Sequence, residues 1–149
     1  MLRKIALLAL CALVLTVIPA CGKGAIKTEG VTGKVTFNGA PLADATVFFI
    51  PVGEGNQSYG KTDANGVYKL QTLLGAADAG TTPGKYQVRF EAVENVPTGK
   101  MLTDSTTGEE YERVDVQSVI PRQYTDEKTS GFEVEVVKGS NTFDFDLTD

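Results

Sequence analysis

Lys85-Tyr86-Gln87-Val88-Arg89-Phe90-Glu91-Ala92 puts Tyr86, Val88, Phe90 and Ala92 on one side of an extended chain and Lys85, Gln87, Arg89 and Glu91 on the other. Successive side chains of a strand point to opposite faces, so this alternation marks a strand with one buried and one wet face. Phe132–Val136 and residues 143–147 repeat the pattern, with carboxylates set against apolar positions. Their outward acids also discourage edge-to-edge pairing. In Val31–Phe37, Val31, Gly33, Val35 and Phe37 share one side and Thr32, Lys34 and Thr36 the other. Residues 45–50 are apolar on both faces, which predicts a central strand covered on two sides.

The connections carry turn chemistry. Asn38-Gly39 supplies the positive φ angles that a tight hairpin demands. Asp63-Ala64-Asn65-Gly66 does the same ahead of Val67, with Asp63 placed to accept from backbone amides downstream. Pro83-Gly84 launches the strand quoted above. No segment after residue 30 shows sustained helical periodicity, and turn signals recur about every ten residues as far as Val93, a spacing suited to an all-β, antiparallel β-sandwich of about seven strands.

Ahead of this body lies a different kind of segment. Met1-Leu2-Arg3-Lys4, an apolar run over residues 5–18 and then Pro19-Ala20-Cys21-Gly22 form an export signal, too short to span a bilayer comfortably. Ile18-Pro19-Ala20-Cys21 resembles a bacterial lipobox, which implies cleavage before Cys21 and acylation of its sulfur and amine. Pro19 departs from the small or hydroxyl residue usual there and leaves open a cut by the ordinary signal peptidase; an uncleaved anchor is the remaining alternative. Gly22 rather than Asp after the cysteine resembles the pattern sent on to the outer membrane, facing the periplasm or the cell surface. The domain plan is then a signal peptide over 1–20, a lipidated tether over 21–30 and a β-sandwich domain over 31–149.

The full chain of 149 residues has formal charge −5, and losing Arg3 and Lys4 with the signal makes the remainder more acidic. An acidic surface disfavours nucleic acid. The two cysteines, Cys11 and Cys21, fall in the signal and at the lipid site, so no pair remains for a disulfide and the fold must rest on its apolar core.

Val31-Thr32-Gly33-Lys34-Val35-Thr36-Phe37-Asn38-Gly39-Ala40-Pro41-Leu42-Ala43-Asp44-Ala45-Thr46-Val47 resembles the opening of a carboxypeptidase regulatory-like domain. Thr62-Asp63-Ala64-Asn65-Gly66-Val67-Tyr68 and Pro83-Gly84-Lys85-Tyr86-Gln87-Val88 are similar to its later turn and strand signatures. Ile120-Pro121-Arg122-Gln123-Tyr124, Thr129-Ser130-Gly131-Phe132 and Asn141-Thr142-Phe143-Asp144-Phe145-Asp146-Leu147 resemble small bacterial lipoproteins built on that domain. The resemblance implies a transthyretin-like (prealbumin-like) or Ig-like sandwich that accompanies or decorates other activities, and its shared residues are those of turns and core. On that footing Gly33 allows a close approach or a bulge, Ala45 and Val47 enter the core, and Tyr68 and Tyr86 bury their rings while each hydroxyl finds a partner.

Histidine is absent from the chain, which removes the commonest general base and the usual zinc and iron ligand sets. No catalytic residue, metal ligand or cofactor is expected. Asp63 and Asn65 have the spacing of half a calcium loop, but the rest of that ligand set is missing and turn chemistry is favoured. Lys34 and Asn141 stand where related sandwiches form a crosslink, with Glu91 as its proton shuttle; Lys34 alternates onto a wet face, which disfavours one.

Residues 94–117 are longer than an ordinary sandwich connection and form a long loop or insertion. A hydrated insertion with a short hairpin near residues 110–116 is the bland reading, in which Tyr111, Val114 and Val116 simply pack. A binding role would use Tyr111 and Arg113, joined by Arg122 and Tyr124, because aromatic and guanidinium groups stack on sugars or peptides and offer directed donors. The preferred function is a lipid-anchored, non-enzymatic structural or protein-interaction module of the cell envelope. The alternative is a carbohydrate- or small-ligand-binding lipoprotein that uses residues 94–117.

Overall fold

A computed structural model of the protein describes residues 27–72 and 80–149. The expected export signal, the expected lipid site at Cys21 and residues 21–26 of the expected tether lie outside the described residues. Among the described residues the chain is all-β, with one short 3-10 turn at Arg122–Thr125, and no helix is long and apolar enough to cross a membrane.

Two five-stranded sheets face each other across one core. In the first, β1 (Val31–Phe37) is central. On one edge it pairs antiparallel with β2 (Ala40–Pro41) and β5 (Val67–Lys69), and on the other it pairs parallel with β11 (Asn141–Thr142) and β12 (Phe145–Leu147). The second runs in the order β10 (Phe132–Val136), β7 (Gly84–Glu91), β3 (Thr46–Pro51), β4 (Ser58–Lys61), β6 (Gln71–Thr72), antiparallel throughout. Residues 67–72 change sheets at the buried Leu70, giving β5 to one and β6 to the other. With β5 and β6 taken as one passage, and β11 and β12 as another, eight strands make the sandwich, one more than the turn spacing predicts because of the two-residue β2.

The pairings are antiparallel, as the alternation and turns lead one to expect, except those of β1 with β11 and β12, which are parallel. Alternation reveals which face a residue takes and says nothing of chain direction. Direction is set by the crossover after β10, where the chain passes from one sheet to the other. Asn141 holds that crossover, donating from Nδ2 to the carbonyls of Val137 (2.9 Å) and Gly139 (3.0 Å) while Oδ1 accepts from the Val137 amide at 2.9 Å. That leaves Asn141 committed to the turn, and Lys34 sits exposed.

The domain also starts earlier than residue 31. Glu29 bridges to Thr81, its carboxylate accepts from the Gly139 amide at 2.9 Å, and Gly30 O accepts from the Asn141 amide at 3.0 Å. Glu29 and Gly30 are therefore pinned to the sandwich.

Val35, Val47, Phe49, Val88, Phe90 and Leu147 are fully enclosed between the sheets. Tyr86 and Tyr68 are buried with both hydroxyls partnered. Tyr86 OH donates to Thr82 O at 2.7 Å and accepts from Thr81 Oγ1, which in turn accepts from Ser58 Oγ. Tyr68 OH donates to Phe143 O at 2.8 Å, and burial first, then the charge of Asp144, push its ionisation far above the ordinary tyrosine range. It serves as a neutral donor. Gly33 lies directly beneath this contact, where a Cβ would meet Phe143 O at 1.7 Å.

At Asn38-Gly39 both residues take positive φ, 52° and 77°, as the hairpin requires. Asp63 Oδ1 accepts from the amides of Asn65 (2.8 Å) and Val67 (2.9 Å), so its carboxylate is spent on the turn.

Gly33→Ala should destabilise the protein by about 1–3 kcal/mol, the cost of overpacking against backbone that cannot move aside. Tyr68→Phe should cost about 1–3 kcal/mol by orphaning the Phe143 carbonyl. Gly30→Ala, with nothing within 4 Å of the added carbon, should change little. Urea unfolding midpoints measure all three; equal midpoints for Gly33→Ala and Gly30→Ala would refute the close-packing argument.

Candidate functional site

Residues 94–117 fold as a two-stranded ribbon and not as a loop. Strand β8 (Val93–Thr103) leaves the sandwich at the buried Ala92, and β9 (Glu110–Ser118) returns to it, with Val119 N donating to Ala92 O at 3.0 Å across the base. Val96, Val114 and Val116 supply the β-branched content that favours extended chain. Register runs from Val93↔Ser118 to Pro97↔Val114, then resumes at Met101↔Glu112 and ends at Thr103↔Glu110.

Between those stretches Thr98, Gly99 and Lys100 bulge opposite Arg113 alone. Thr98 Oγ1 donates to Arg113 O at 2.7 Å and the Gly99 amide donates to Glu112 Oε1 at 2.8 Å, which ties the bulge to β9. At the far end Asp104 Oδ1 accepts from the amides of Thr106 (2.7 Å) and Thr107 (3.0 Å). These backbone donors favour the ionised carboxylate and hold Asp104 below the ordinary aspartate value of 3.8.

The register sorts the ribbon into two faces. One carries Val96, Leu102, Tyr111, Arg113 and Asp115; the other carries Val93, Pro97, Met101, Val114 and Val116, flanked by Glu110 and Glu112. Every residue of β9 is exposed, with Val116 at 64%, Met101 at 55% and Val93 at 52%. Tyr111, Val114 and Val116 therefore do not pack on the core, contrary to the bland expectation for a short hairpin. The second face is an apolar stripe in water, larger in reach than scattered surface apolars.

The four candidate ligand-binding residues do not converge. Tyr111 and Arg113 share a face of the ribbon, where Arg113 Nε reaches Asp115 Oδ1 at 3.3 Å. Arg122 is exposed in the 3-10 turn. Tyr124 is buried, stacked on Phe132 with ring centroids 6.0 Å apart, and its hydroxyl accepts from the Thr148 amide at 3.3 Å. That amide holds the Tyr124 hydroxyl below the ordinary tyrosine range. Tyr124 is thus a core residue; a repeating alternation was lacking around it, so its burial was not visible in sequence.

A second surface lies away from these four residues. On the outer face of the second sheet Arg89 lies over the Phe48 ring, 3.8 Å from its centroid, and Tyr59 stands beside it at 6.5 Å between centroids. Strand β3 is central, as its composition predicts, but what covers Phe48 among the described residues is the Arg89 side chain and not another layer. The signal available was Phe48 itself, a large apolar residue at a wet-face position between Val47 and Phe49.

No protein-family model and no curated protein matches the chain. Among solved structures, a 9R-lipoxygenase from Cyanothece PCC8801 is similar at a TM-score of 0.36 and 17% identity, over 99% of this chain and 20% of that one. The chain spans about a fifth of that structure's length, and a likeness at this level carries no argument about fold or function.

Because the folded-state ionisation of Asp104 is depressed, its contribution to the ribbon's end turn is complete above the ordinary aspartate value and is lost as pH falls through the folded one. Amide shifts of Thr106 and Thr107 should titrate together with a midpoint below 3.8, and Asp104→Ala should abolish that titration. A midpoint at or above the ordinary value would refute the hydrogen-bond assignment.

Proposed function

We propose that the protein is a lipid-anchored β-sandwich of the cell envelope that acts as a non-enzymatic structural or protein-interaction module. The observation that carries this reading is the ribbon. Its two strands are the longest described, and they hold Val93, Pro97, Met101, Val114 and Val116 in solvent on one face. A two-stranded hairpin is marginal alone in water, so a partner that covers this stripe supplies both a binding site and the missing support.

The anchor rests on the leader and on Cys21, with acylation at the new amino terminus and an outer-membrane address as the finer reading. Each buried acyl methylene contributes about 0.8 kcal/mol, so a multiply acylated Cys21 holds the protein without help from its acidic surface. The resemblance to a carboxypeptidase regulatory-like domain draws on the Asn38-Gly39 and Asp63–Gly66 segments, both of which form turns. The partner is another envelope protein; nucleic acid does not suit the negative charge.

The alternative is binding of a polysaccharide or small ligand through the ribbon. It draws on one fact, that Tyr111 and Arg113 share a face with the ring about half exposed, at 52%.

A fatty-acid probe should label the wild-type chain, and Cys21→Ala should lose both label and membrane attachment. A photo-crosslinking residue at Val116 should capture one envelope protein in cells, and Met101→Glu should remove that product; capture that is unchanged would reject the stripe. Glycan-array binding that disappears in Tyr111→Ala and Arg113→Ala would favour the alternative.

A further inference from the structure

The two outer edges of the ribbon differ in kind. On β8 the bulge at Thr98–Lys100 breaks the edge, and Pro97 offers no amide hydrogen. These are the devices by which edge strands are kept from pairing. On β9 the nine residues Glu110-Tyr111-Glu112-Arg113-Val114-Asp115-Val116-Gln117-Ser118 contain neither proline nor glycine. Among the described residues nothing pairs with that outer edge.

Which β9 groups face outward follows from two facts. Pro97 stands opposite Val114 and cannot donate, so this is a pair without ladder hydrogen bonds, and Arg113 O is turned inward to accept from Thr98 Oγ1 at 2.7 Å. The N–H and C=O of Val114 therefore point away from β8. By the two-residue period those of Glu112 and Val116 do as well.

The geometry points to β9 as a self-complementary edge that pairs antiparallel with β9 of a second copy of this chain, on a two-fold axis at Val114. In that register Val114 faces Val114 of the other copy and Glu112 faces Val116, both as hydrogen-bonded pairs that use the outward amides and carbonyls. Arg113 then faces Asp115 twice, once on each side of the axis, at the closer, non-hydrogen-bonded positions where side chains meet. Centring one residue either way sets Arg113 against Arg113 or Asp115 against Asp115. Centring on Glu112 opposes two carboxylates, and centring on Val116 leaves both Arg113 and Asp115 without their opposite charge. Val114 is the centre that satisfies charge and hydrogen-bond parity together.

The pairing merges two ribbons into a four-stranded sheet in which the apolar stripes of the two copies meet at Val114, with Val116 of each beside Glu112 of the other. An edge contact of this length buries less than the roughly 1,200–2,000 Å² of a standing interface. The association is accordingly weak in dilute solution and is favoured where two copies are concentrated on one surface. It is separate from the capture of another envelope protein and stands without it.

The test uses the full chain in the membranes of producing cells and after purification. Val114→Cys should give a disulfide-linked dimer, since directly opposed positions in a hydrogen-bonded pair lie about 5.5 Å apart. Val93→Cys, on β8 and remote from the axis, should give only the background of the parent chain. In the Val114→Cys background, Arg113→Asp and Asp115→Arg should each lower the linked product roughly tenfold, by setting like charges opposite each other. Mixing those two chains should restore it as a heterodimer, because one then carries two acids and the other two guanidiniums. A linked product that ignores both swaps, or that fails to return on mixing, overturns the register; no product above the parent's background overturns the pairing. Loss of fatty-acid label in wild type with the linked dimer intact would remove the anchor and leave the edge.

Discussion

The ring of Phe145 is the contact on which the two sheets depend. Its centroid lies 5.2 Å from Phe90, 5.2 Å from Phe132, 6.2 Å from Tyr68 and 6.3 Å from Phe49. Phe49, Phe90 and Phe132 belong to one sheet, Tyr68 and Phe145 to the other. Both cysteines precede residue 22, so no disulfide can tie the sandwich, and aromatic packing across the layers does that work instead. Phe145 takes this place because β12 lies parallel to β1 and pairs with it at Val35. The same passage of chain brings Phe143 O over Gly33 to accept from Tyr68. The core thus closes at the last strand, and contacts between residues more than a hundred positions apart complete it.

With the core closed, the ribbon is the part of the molecule left unexplained by packing. It is inserted between β7 and the 3-10 turn, anchored at its base by Ala92 and Val119, and its β9 strand meets water along its whole length. The sandwich itself shows the usual economy of polar groups: among the described residues, every buried side-chain nitrogen or oxygen has a hydrogen-bond partner. Against that background a face made of Val93, Pro97, Met101, Val114 and Val116 is a departure that stability alone does not account for, and interaction is the physical reading it supports.

The candidate site was legible in part. Residue type singles out Tyr111 and Arg113, and they do share an exposed face. The same chemistry groups Arg122 and Tyr124 with them, yet Tyr124 is buried on Phe132 and belongs to the core. Residue type names what a side chain can do. It does not say whether the ring faces water, which depends on a partner eight residues away and on the Thr148 amide at the far end of the chain.

The sequence by itself determined the class of fold: period-two alternation at residues 85–92, 132–136, 143–147 and 31–37, with Asn-Gly and Asp-to-Gly turns, admits little but a two-layered sheet protein. It also determined that Tyr86 would be buried, because alternation over residues 85–92 fixes its face. Tertiary structure alone decided the direction of β12 against β1, the pinning of Glu29 and Gly30 to the sandwich, and the folding of residues 94–117 as a ribbon with one broken and one open edge. The reason is that alternation is a local property, shared by every strand whichever way it runs. Pairing partner, direction and register are set by crossovers and by contacts distant in sequence, such as Asn141 at the β10–β11 turn and Phe145 between the sheets.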